Sequence, residues 1–406
     1  ERLPEIPFSP AEEKIALFTD TLDEINGVAM TIRRLIRTAQ ERGISLTVIT
    51  SGDGSQATPA GVKQFQAVGD FVLPEYPELK LSFPPILDVL NYIEKEEITR
   101  IHVSTPGTVG LLGLLIARLM NIPVAGTYHT EIPQYVRSLT DDEFLEQVAW
   151  NYMIWFYNQM EEVMVPSAST REQLFSHGLP LEKMKPLPRW VDTEQFSPDK
   201  RVERFWLERG LSGRTTLLYV GRVSREKALD LLVESFCRLI DEGSELCLSV
   251  VGDGPYRGEM EQALAGYPVL FTGYLQGEEL QQAYASADLF VFPSATDTFG
   301  NVVLEAQASG LPVIVSDAGG PCELMIGGET GMVFSAGNQD ELTGAIRSMT
   351  ANRLILSLMG ESARSFVLAK APHASDTYST ILQPGPRPDA GYSTFGESPC
   401  LQSCSC

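Results

Sequence analysis

The chain has 406 residues, 43% of them hydrophobic and 21% charged, and its 53 acidic residues against 31 lysines and arginines give a formal net charge of -22. This composition excludes collagen-like and wholly disordered chains, and the length favours two domains. The acidic balance argues against nucleic acid as a partner, although a few cations and backbone amides in a cleft can still hold a phosphate group.

The first half of the chain alternates short apolar runs with amphipathic stretches. The short runs are KIALFTD, SLTVIT, RIHVSTP and PVAGTYH, and VAMTIRRLIRTAQERG and VGLLGLLIARLMNI lie between them. This alternation predicts parallel strands joined by helices. The longest apolar stretch, 109–120, is shorter than the roughly 20 residues of a membrane-spanning helix, so no such helix is predicted. The N-terminal residues lack a signal-peptide pattern, and we expect a cytoplasmic protein.

Aromatic residues crowd the segment WNYMIWFYNQM at 150–160, which is expected to form an amphipathic helix. Packing in the core explains them best, and a surface that faces a membrane or an acceptor is the alternative. Peripheral contact with a membrane therefore stays open.

The second half of the chain repeats the pattern after a proline-rich connection at 186–200. Strands are predicted in TTLLYVGR, LCLSVVGDG, VLFTGY, LFVFPS and PVIVSD, with a helix between each strand and the next. These elements predict a second parallel, doubly wound sheet. Residues 384–406 are rich in Pro, Gly, Ser and Cys and predict a mobile tail. Its cysteines fit neither a disulfide framework nor the spacing of a zinc site, and they are Cys400, Cys404 and Cys406.

The segment TDTFGNVVLEAQASG places a carboxylate, a tight turn and a helix start directly after the strand LFVFPS. Ligands of parallel sheets bind at such strand ends, and free N–H groups near Asn301 and Val302 suit a diphosphate. Gly300 allows the backbone to approach a ligand closely. Glu305 lies one turn into the helix, within reach of a ribose, and Asp297 can accept hydrogen bonds from sugar hydroxyls. A capping Asp297 and a solvated Glu305 are the alternative.

Cations follow another predicted strand in YVGRVSREKALDLL. Arg222 can fork onto phosphate oxygens, and Lys227 can place a point charge beside a departing diphosphate. The alternative is a set of exposed basic residues near a helix start.

The first half of the chain offers two further candidates. Gly27, in the loop after the first strand, lets the backbone approach a phosphate or an acceptor, and a plain turn glycine is the alternative. His129 follows the strand PVAGTY, where a histidine can belong to a site, although most single histidines are structural. The other histidines are expected to be packing or surface residues: His102, His177 and His373.

Motifs of other enzyme classes are absent or weak. No P-loop, H-E-x-x-H or G-x-S-x-G motif occurs, which argues against kinases, zinc proteases and esterases. No D-x-D triplet occurs, so no metal is expected and cations and helix dipoles must neutralise a leaving diphosphate. The glycines of GDGPYRG miss the dinucleotide fingerprint by one residue and predict a turn.

The order of these motifs resembles the retaining glycosyltransferases of the GT-B fold, family 4, from about Lys14 to about Leu382. The E-x7-E signature of that family corresponds to Asp297 and Glu305, with Asp in place of the usual first Glu. GRVSREKALDLL is similar to the diphosphate-binding loop of the family, although Ala228 stands where Gly is common. PRWVDTEQFSP resembles its interdomain segment.

The resemblance implies roles for the matching residues. It implies that Asp297 contacts the donor sugar, that Glu305 contacts the ribose, and that His129 lies near the donor sugar. The catalytic residues it implies are His129, Arg222, Lys227 and Asp297. The donor-binding residues it implies are Gly27, Arg222, Lys227, Asp297, Phe299, Gly300, Asn301, Val302 and Glu305.

The same resemblance implies an α/β fold of two doubly wound, Rossmann-like domains that face each other across a cleft. The expected division is an N-terminal extension at 1–13, an acceptor-side domain at 14–190, a nucleotide-sugar-binding domain at 191–370, a segment at 371–383 that crosses back to the first domain, and the tail at 384–406.

The implied reaction moves a hexosyl group, with mannosyl or glucosyl favoured, from a GDP- or UDP-linked donor to a hydroxyl of a lipid, polyol or glycan with retention of configuration. Neither a metal nor a further cofactor is expected. A GT-B epimerase, a phosphorylase or a non-catalytic nucleotide-sugar-binding protein is the alternative.

Overall fold

The computed structural model describes residues 13–22, 27–53, 58–73, 76–187, 191–211, 215–370 and 381. The expected N-terminal extension up to residue 12, the tail at 384–406 and all of the expected crossing segment at 371–383 except residue 381 lie outside these ranges. No helix within them is long and apolar enough to cross a membrane.

The first domain is built on a parallel sheet. The strands of this domain are β1 (Lys14–Phe18), β2 (Ser45–Gly52), β3 (Val62–Gln66), β4 (Gly69–Leu73), β5 (Tyr76–Phe83), β6 (Arg100–Val103), β7 (Val124–Thr127), β8 (Glu162–Val165) and β9 (Met184–Pro186). Seven of these strands form the sheet in the order β3-β2-β1-β6-β7-β8-β9, and every pair in it is parallel. The alternating pattern therefore predicted this sheet correctly.

Helices cover both faces of this sheet. They are α1 (Gly27–Arg42), α2 (Ile86–Lys95), α3 (Thr108–Met120), α4 (Ile132–Thr140), α5 (Glu143–Asn158) and α6 (Ala168–Ser176). Successive side chains of β1 enter different cores, because a strand points them to opposite faces. Ala16 and Phe18 pack with residues of α3 and α5, whereas Ile15 and Leu17 pack with residues of α1. Aromatic residues of α5 contribute to the first of these cores, as expected.

One part of the first domain has no counterpart in the sequence analysis. Strands β4 and β5 form an antiparallel hairpin of their own, inserted between β3 and α2. Hairpins are specified by short-range turn chemistry, and GDFVLPEYPELKLSF carries no Asn-Gly or Asp-Gly turn that would announce one.

The second domain repeats the architecture. Its strands are β10 (Thr215–Val220), β11 (Leu246–Val251), β12 (Val269–Gly273), β13 (Leu289–Phe292), β14 (Val313–Ser316) and β15 (Gly331–Phe334). Its helices are α7 (Leu229–Asp241), α8 (Arg257–Ala263), α9 (Gly277–Ala285), α10 (Asn301–Ala308), α11 (Gln339–Thr350) and α12 (Arg353–Lys370). The strands form one parallel sheet in the order β12-β11-β10-β13-β14-β15. The predicted fold of two doubly wound α/β domains is confirmed.

Strand order places the ends of β10 and β13 side by side. The chain runs from β10 outward to β11 and β12, and then crosses to the other side of β10 to begin β13. Ligands of doubly wound sheets bind at such a reversal, outside the carboxyl ends of the strands. The loops after β10 and β13 therefore meet at one edge, although they are about 70 residues apart in sequence.

Arg364 holds the C-terminal end of α10, the helix that starts at this edge, and Ile381, the last described residue, packs against the first domain. Arg364 on α12 donates hydrogen bonds to the carbonyl oxygens of Ala308, at the end of α10, and of Phe196, at 2.6 and 2.8 Å. Ile381 is buried and packs in the core that contains Ile15 and Leu17 of the first domain.

Candidate active site

The loop after β13 forms a tight turn that delivers the chain into α10. Gly300 precedes the helix with φ +73°, a left-handed backbone conformation that is strained for residues with a side chain. A Cβ at Gly300 would also lie 3.1 Å from Leu324 and 3.2 Å from Pro321. Asp297 Oδ1 accepts a hydrogen bond of 3.1 Å from the Gly300 N–H, so this carboxylate caps the turn. The capping alternative for Asp297 thus holds alongside any further role.

Lys227 and Asp297 form a buried ion pair at the junction of the two loops. Lys227 lies in a single turn of 3-10 helix (Arg225–Lys227) after β10, and its Nζ lies 2.9 Å from Asp297 Oδ2. Lys227 is only 8% exposed, which excludes the alternative of a solvated surface cation. Each loop supplies one member of the pair. Burial of either charge without the other would carry a large desolvation cost, so the pair favours contact between the two loops.

Each member of the pair keeps the other charged. Burial alone lowers the pKa of Lys227, but the negative charge of Asp297 outweighs it and the pKa lies above its usual value. Burial alone raises the pKa of Asp297, but Lys227 and the N–H groups of Gly300 and Phe299 outweigh it and the pKa lies below its usual value. Both charges of the pair are therefore kept beside the N-terminus of α10 near neutral pH.

Glu305 is buried rather than solvated. It is 7% exposed, and its Oε2 accepts a hydrogen bond of 3.1 Å from the hydroxyl of Tyr284. Its Oε1 lies 4.0 Å from Nη2 of Arg34, which is on α1 of the first domain. Burial raises the pKa of Glu305 to about 7, while Arg34 and Tyr284 act in the opposite direction. This carboxylate is thus poised between its charged and neutral forms near neutral pH.

The first domain reaches the same site from the opposite side. Thr298 Oγ1 donates a hydrogen bond of 2.7 Å to the carbonyl oxygen of His129, which follows β7. Gly27 starts α1 opposite the start of α10, since a Cβ on it would lie 3.7 Å from Nδ2 of Asn301. Phe299 packs on the core of the first domain. The His129 ring is neutral at neutral pH, because burial lowers its pKa to about 4.

The structure therefore gathers most of the predicted site residues in one interdomain cleft. Seven of them lie at the starts of α1 and α10, which face each other, or at the hydrogen bonds made by Asp297 and Thr298. They are Gly27, His129, Asp297, Phe299, Gly300, Asn301 and Val302. Arg222 lies half-buried in the same loop as Lys227, and its carbonyl oxygen accepts a hydrogen bond of 2.7 Å from Tyr219. No cluster of three or more potential metal ligands occurs among the described residues.

Other predicted features have structural roles. The two glycines Gly252 and Gly254 allow the turn after β11 to pack on the backbone of the loop after β10, where a Cβ on either would lie within 2.4 Å of a carbonyl oxygen. His102 is buried with its Nε2 2.8 Å from Thr127 Oγ1, and the ring of His177 stacks on Trp150. These observations agree with the turn and packing interpretations.

Among the described residues, four that reach the site from outside the loops after β10 and β13 were not predicted. Arg34 and Tyr284 contact Glu305. The charges of Lys227 and Asp297 act on the pKa values of Glu131 and Tyr135. Only Glu131 had a signal in the sequence, because an acidic residue follows the strand-end histidine by two positions. The others reach the site from helices whose docking depends on long-range packing.

Sequence models of two related families match the two halves of the chain. One, described as Glycosyltransferase Family 4, matches residues 25–195, and the other, described as Glycosyl transferases group 1, matches residues 214–352. The sulfoquinovosyl transferase SQD2 of Arabidopsis thaliana is 31% identical over 361 residues, which cover 86% of this chain and 69% of that protein. The chain belongs to the family 4 glycosyltransferases. This glycosyltransferase is therefore an enzyme, and the resemblance inferred from its motifs is confirmed.

Further relatives of the glycosyltransferase differ in the sugar and acceptor that their names give. A GDP-mannose-dependent alpha-mannosyltransferase of Mycolicibacterium smegmatis is 30% identical over 366 residues, 88% of this chain and 93% of the relative. An alpha-monoglucosyldiacylglycerol synthase of Streptococcus pneumoniae is 28% identical over 317 residues, 74% of this chain and 70% of the relative. A solved sucrose-phosphate synthase from Thermosynechococcus elongatus shares the fold, with a TM-score of 0.73, 20% identity and coverage of 91% and 98%.

Proposed function

We propose that the enzyme transfers a mannosyl or glucosyl group from a GDP- or UDP-linked donor to a hydroxyl of a lipid, polyol or glycan, with retention of configuration at the anomeric carbon. The observation that carries the proposal is the Lys227–Asp297 ion pair of 2.9 Å beside the start of α10. GDP-mannose and glucosyl groups are favoured because they occur in the names of relatives that span most of the chain.

The donor diphosphate binds between the cationic side chains of the loop after β10 and the start of α10. Lys227, Arg222 and the free N–H groups at the start of α10 attract its oxygens, and the helix dipole adds to that attraction. These groups stabilise the negative charge that grows on the diphosphate as the glycosidic bond breaks. A divalent cation is then not needed for the leaving group.

The carboxylates bind the neutral parts of the donor. Glu305, one turn into α10, accepts hydrogen bonds from the ribose hydroxyls in its charged form. Asp297 stays ionised beside Lys227, so it accepts from hydroxyls of the hexose and favours the positive charge that develops on the sugar ring. The donor lies between these residues and His129 across the cleft.

The transfer step needs no protonated side chain. The acceptor oxygen forms a bond to the anomeric carbon as the bond to the diphosphate oxygen breaks, and the acceptor proton passes to that leaving oxygen. His129 is neutral at neutral pH and acts as a hydrogen-bonding group rather than as an acid. Closure of the two domains excludes water from the donor.

Transfer assays on the purified enzyme test this proposal. UDP-glucose and GDP-mannose are each supplied with a neutral lipid, a polyol and a neutral glycan as acceptors, with and without EDTA. We expect acceptor-dependent release of nucleoside diphosphate that EDTA leaves unchanged, and a product whose anomeric coupling in NMR matches that of the donor. Inversion of configuration would refute the retaining mechanism, and release that is the same with and without every acceptor would refute the transfer reaction.

A further inference from the structure

A buried carboxylate on the first domain has no partner within the part of the chain that the structure describes. Glu131 immediately precedes α4 and is 3% exposed, but its side chain does not cap that helix. Among the described residues, no hydrogen bond or ion pair is made by this carboxylate. Burying an ionisable group without a partner is costly, so such a group indicates a ligand that completes its hydrogen bonds.

Glu131 faces the Lys227–Asp297 pair across the cleft. The hydrogen bond between Thr298 Oγ1 and the His129 carbonyl oxygen joins the chain just before Glu131 to the residue after Asp297. The two charges also act on Glu131: burial and Asp297 together raise the pKa of Glu131 to about 7, while Lys227 acts in the opposite direction. Glu131 therefore lies near the ion pair, beside the proposed place of sugar transfer.

A second polar group borders the same place. Tyr135 lies one turn further along α4, on the same helical face as Glu131, and the charges of Lys227 and Asp297 act on its hydroxyl as well. It is half-buried. A carboxylate and a phenol hydroxyl together suit a ligand that carries hydroxyl groups.

The charge of Glu131 decides which ligand this is. In the proposed diphosphate site of the second domain, Lys227 offsets the charge of Asp297. Glu131 has no such cation paired with it among the described residues, so in its charged form it would repel the phosphates. The opposite wall of the cleft is therefore the side from which the acceptor enters. An anionic acceptor would meet Glu131 and Asp297 together, whereas an uncharged hydroxyl can donate a hydrogen bond to Glu131 without that repulsion.

We propose that Glu131 binds the acceptor, and that its carboxylate accepts a hydrogen bond from the attacking hydroxyl of an acceptor that is uncharged at its reacting end. This inference rests on the proposed function. The bond between the acceptor oxygen and the anomeric carbon forms as the bond to the diphosphate breaks. The proton ends on the leaving diphosphate oxygen, so Glu131 aims the oxygen and does not retain the proton.

Release of nucleoside diphosphate with and without an acceptor separates this role from donor binding. The probes are UDP-glucose and GDP-mannose as donors, and dioleoylglycerol and phosphatidylinositol in mixed micelles as neutral and anionic acceptors. We expect Glu131→Gln to lower acceptor-dependent release by at least about tenfold, as for a lost charge-assisted hydrogen bond. Acceptor-free hydrolysis and the donor Kd are expected to stay within about twofold of the wild-type values. Glu94→Gln, at an exposed position of α2, is the matched control.

Three results would overturn the inference. The first is equal loss of acceptor-free hydrolysis or of donor affinity in Glu131→Gln, which would make Glu131 a donor-binding residue. The second is a wild-type preference for phosphatidylinositol over dioleoylglycerol. The third is a wild-type enzyme whose release is accelerated neither by these two lipids nor by a polyol or a neutral glycan, and this result alone would also refute the proposed function. If Glu131→Gln fails to fold, Glu131→Asp keeps the charge but shortens its reach, and unchanged acceptor KM in that variant would equally count against the inference.

Discussion

The hydroxyl of Thr298 donates a hydrogen bond of 2.7 Å to the carbonyl oxygen of His129, and this bond links the two domains at the candidate active site. Thr298 follows Asp297 in the loop before α10, and His129 follows β7 of the first sheet. The bond therefore sets the distance between the residues proposed to hold the donor and the wall proposed to hold the acceptor.

Replacement of Thr298 by Val removes this bond at nearly constant volume. The His129 carbonyl loses a partner in a partly buried place, which costs about 1–3 kcal/mol when the domains are closed. We expect kcat/KM for transfer to fall by about tenfold, because a cost of about 1.4 kcal/mol corresponds to a factor of ten. Steady-state kinetics measure this, with Thr350→Val on α11 as the control that removes a hydroxyl bond far from the cleft. Equal kinetics of Thr298→Val and wild type would contradict the role of the bond.

Ala228 adopts a strained backbone conformation at the step from Lys227 into α7. Its φ is +51°, in the left-handed region, where Ala is disfavoured and Gly is not. We expect Ala228→Gly to stabilise the protein by about 0.5 kcal/mol, since relief of strain exceeds the added entropy of the unfolded chain. Ala149→Gly, inside α5, is expected to destabilise by about 1 kcal/mol instead. Thermal unfolding measures both, and destabilisation by Ala228→Gly would show that no strain is stored there.

The sheets could be predicted from the sequence because each buried strand is marked by a short apolar run in its own segment of the chain. The apolar runs that became β10 and β13 are buried along their whole length, as parallel strands between two helix layers must be. The loop after β13 was also predictable, because a glycine and a helix start follow the strand directly. The Lys227–Asp297 pair was not predicted as a pair, since it joins residues whose meeting depends on strand order. Arg34 was missed because only docking of the two domains brings it to Glu305. Glu131 follows the strand-end histidine by two positions, but its position opposite the ion pair also depends on that docking.

Titration of Glu305 predicts a dependence of stability on pH. Burial raises its pKa to about 7, so the folded protein binds the proton more tightly than the unfolded chain does. The resulting stabilisation is present below the unfolded pKa and is lost as pH rises to about 7. As pH rises from the unfolded pKa of Glu305 to about 7, we expect the thermal midpoint of wild type to fall relative to that of Glu305→Gln. Unfolding scans across this range test it, and parallel curves for the two proteins would contradict it. Glu131→Gln is expected to behave similarly.

Arg34 couples the first domain to the same carboxylate. Its positive charge lowers the pKa of Glu305 from a distance of 4.0 Å. Removal of that charge in Arg34→Gln therefore raises the pKa of Glu305 further, and donor binding, which needs the charged carboxylate, shifts to higher pH. Titration of the donor at several pH values measures the shift. Arg37→Gln, at an exposed position of α1, is expected to leave the profile unchanged, and an unchanged profile in Arg34→Gln itself would contradict the coupling.

The central claim is that Lys227 and the start of α10 hold the donor diphosphate, and calorimetric titration of UDP and GDP tests it most directly. We expect Lys227→Met to weaken the better-bound nucleotide by at least about tenfold, as for loss of a charge-assisted contact of about 1.5–3 kcal/mol. The double variant Lys227→Met, Asp297→Asn leaves no unpaired buried charge and is expected to lose the same affinity. The control Lys95→Met, on α2, is expected to keep the wild-type affinity. Unchanged affinity in both Lys227 variants would contradict the account.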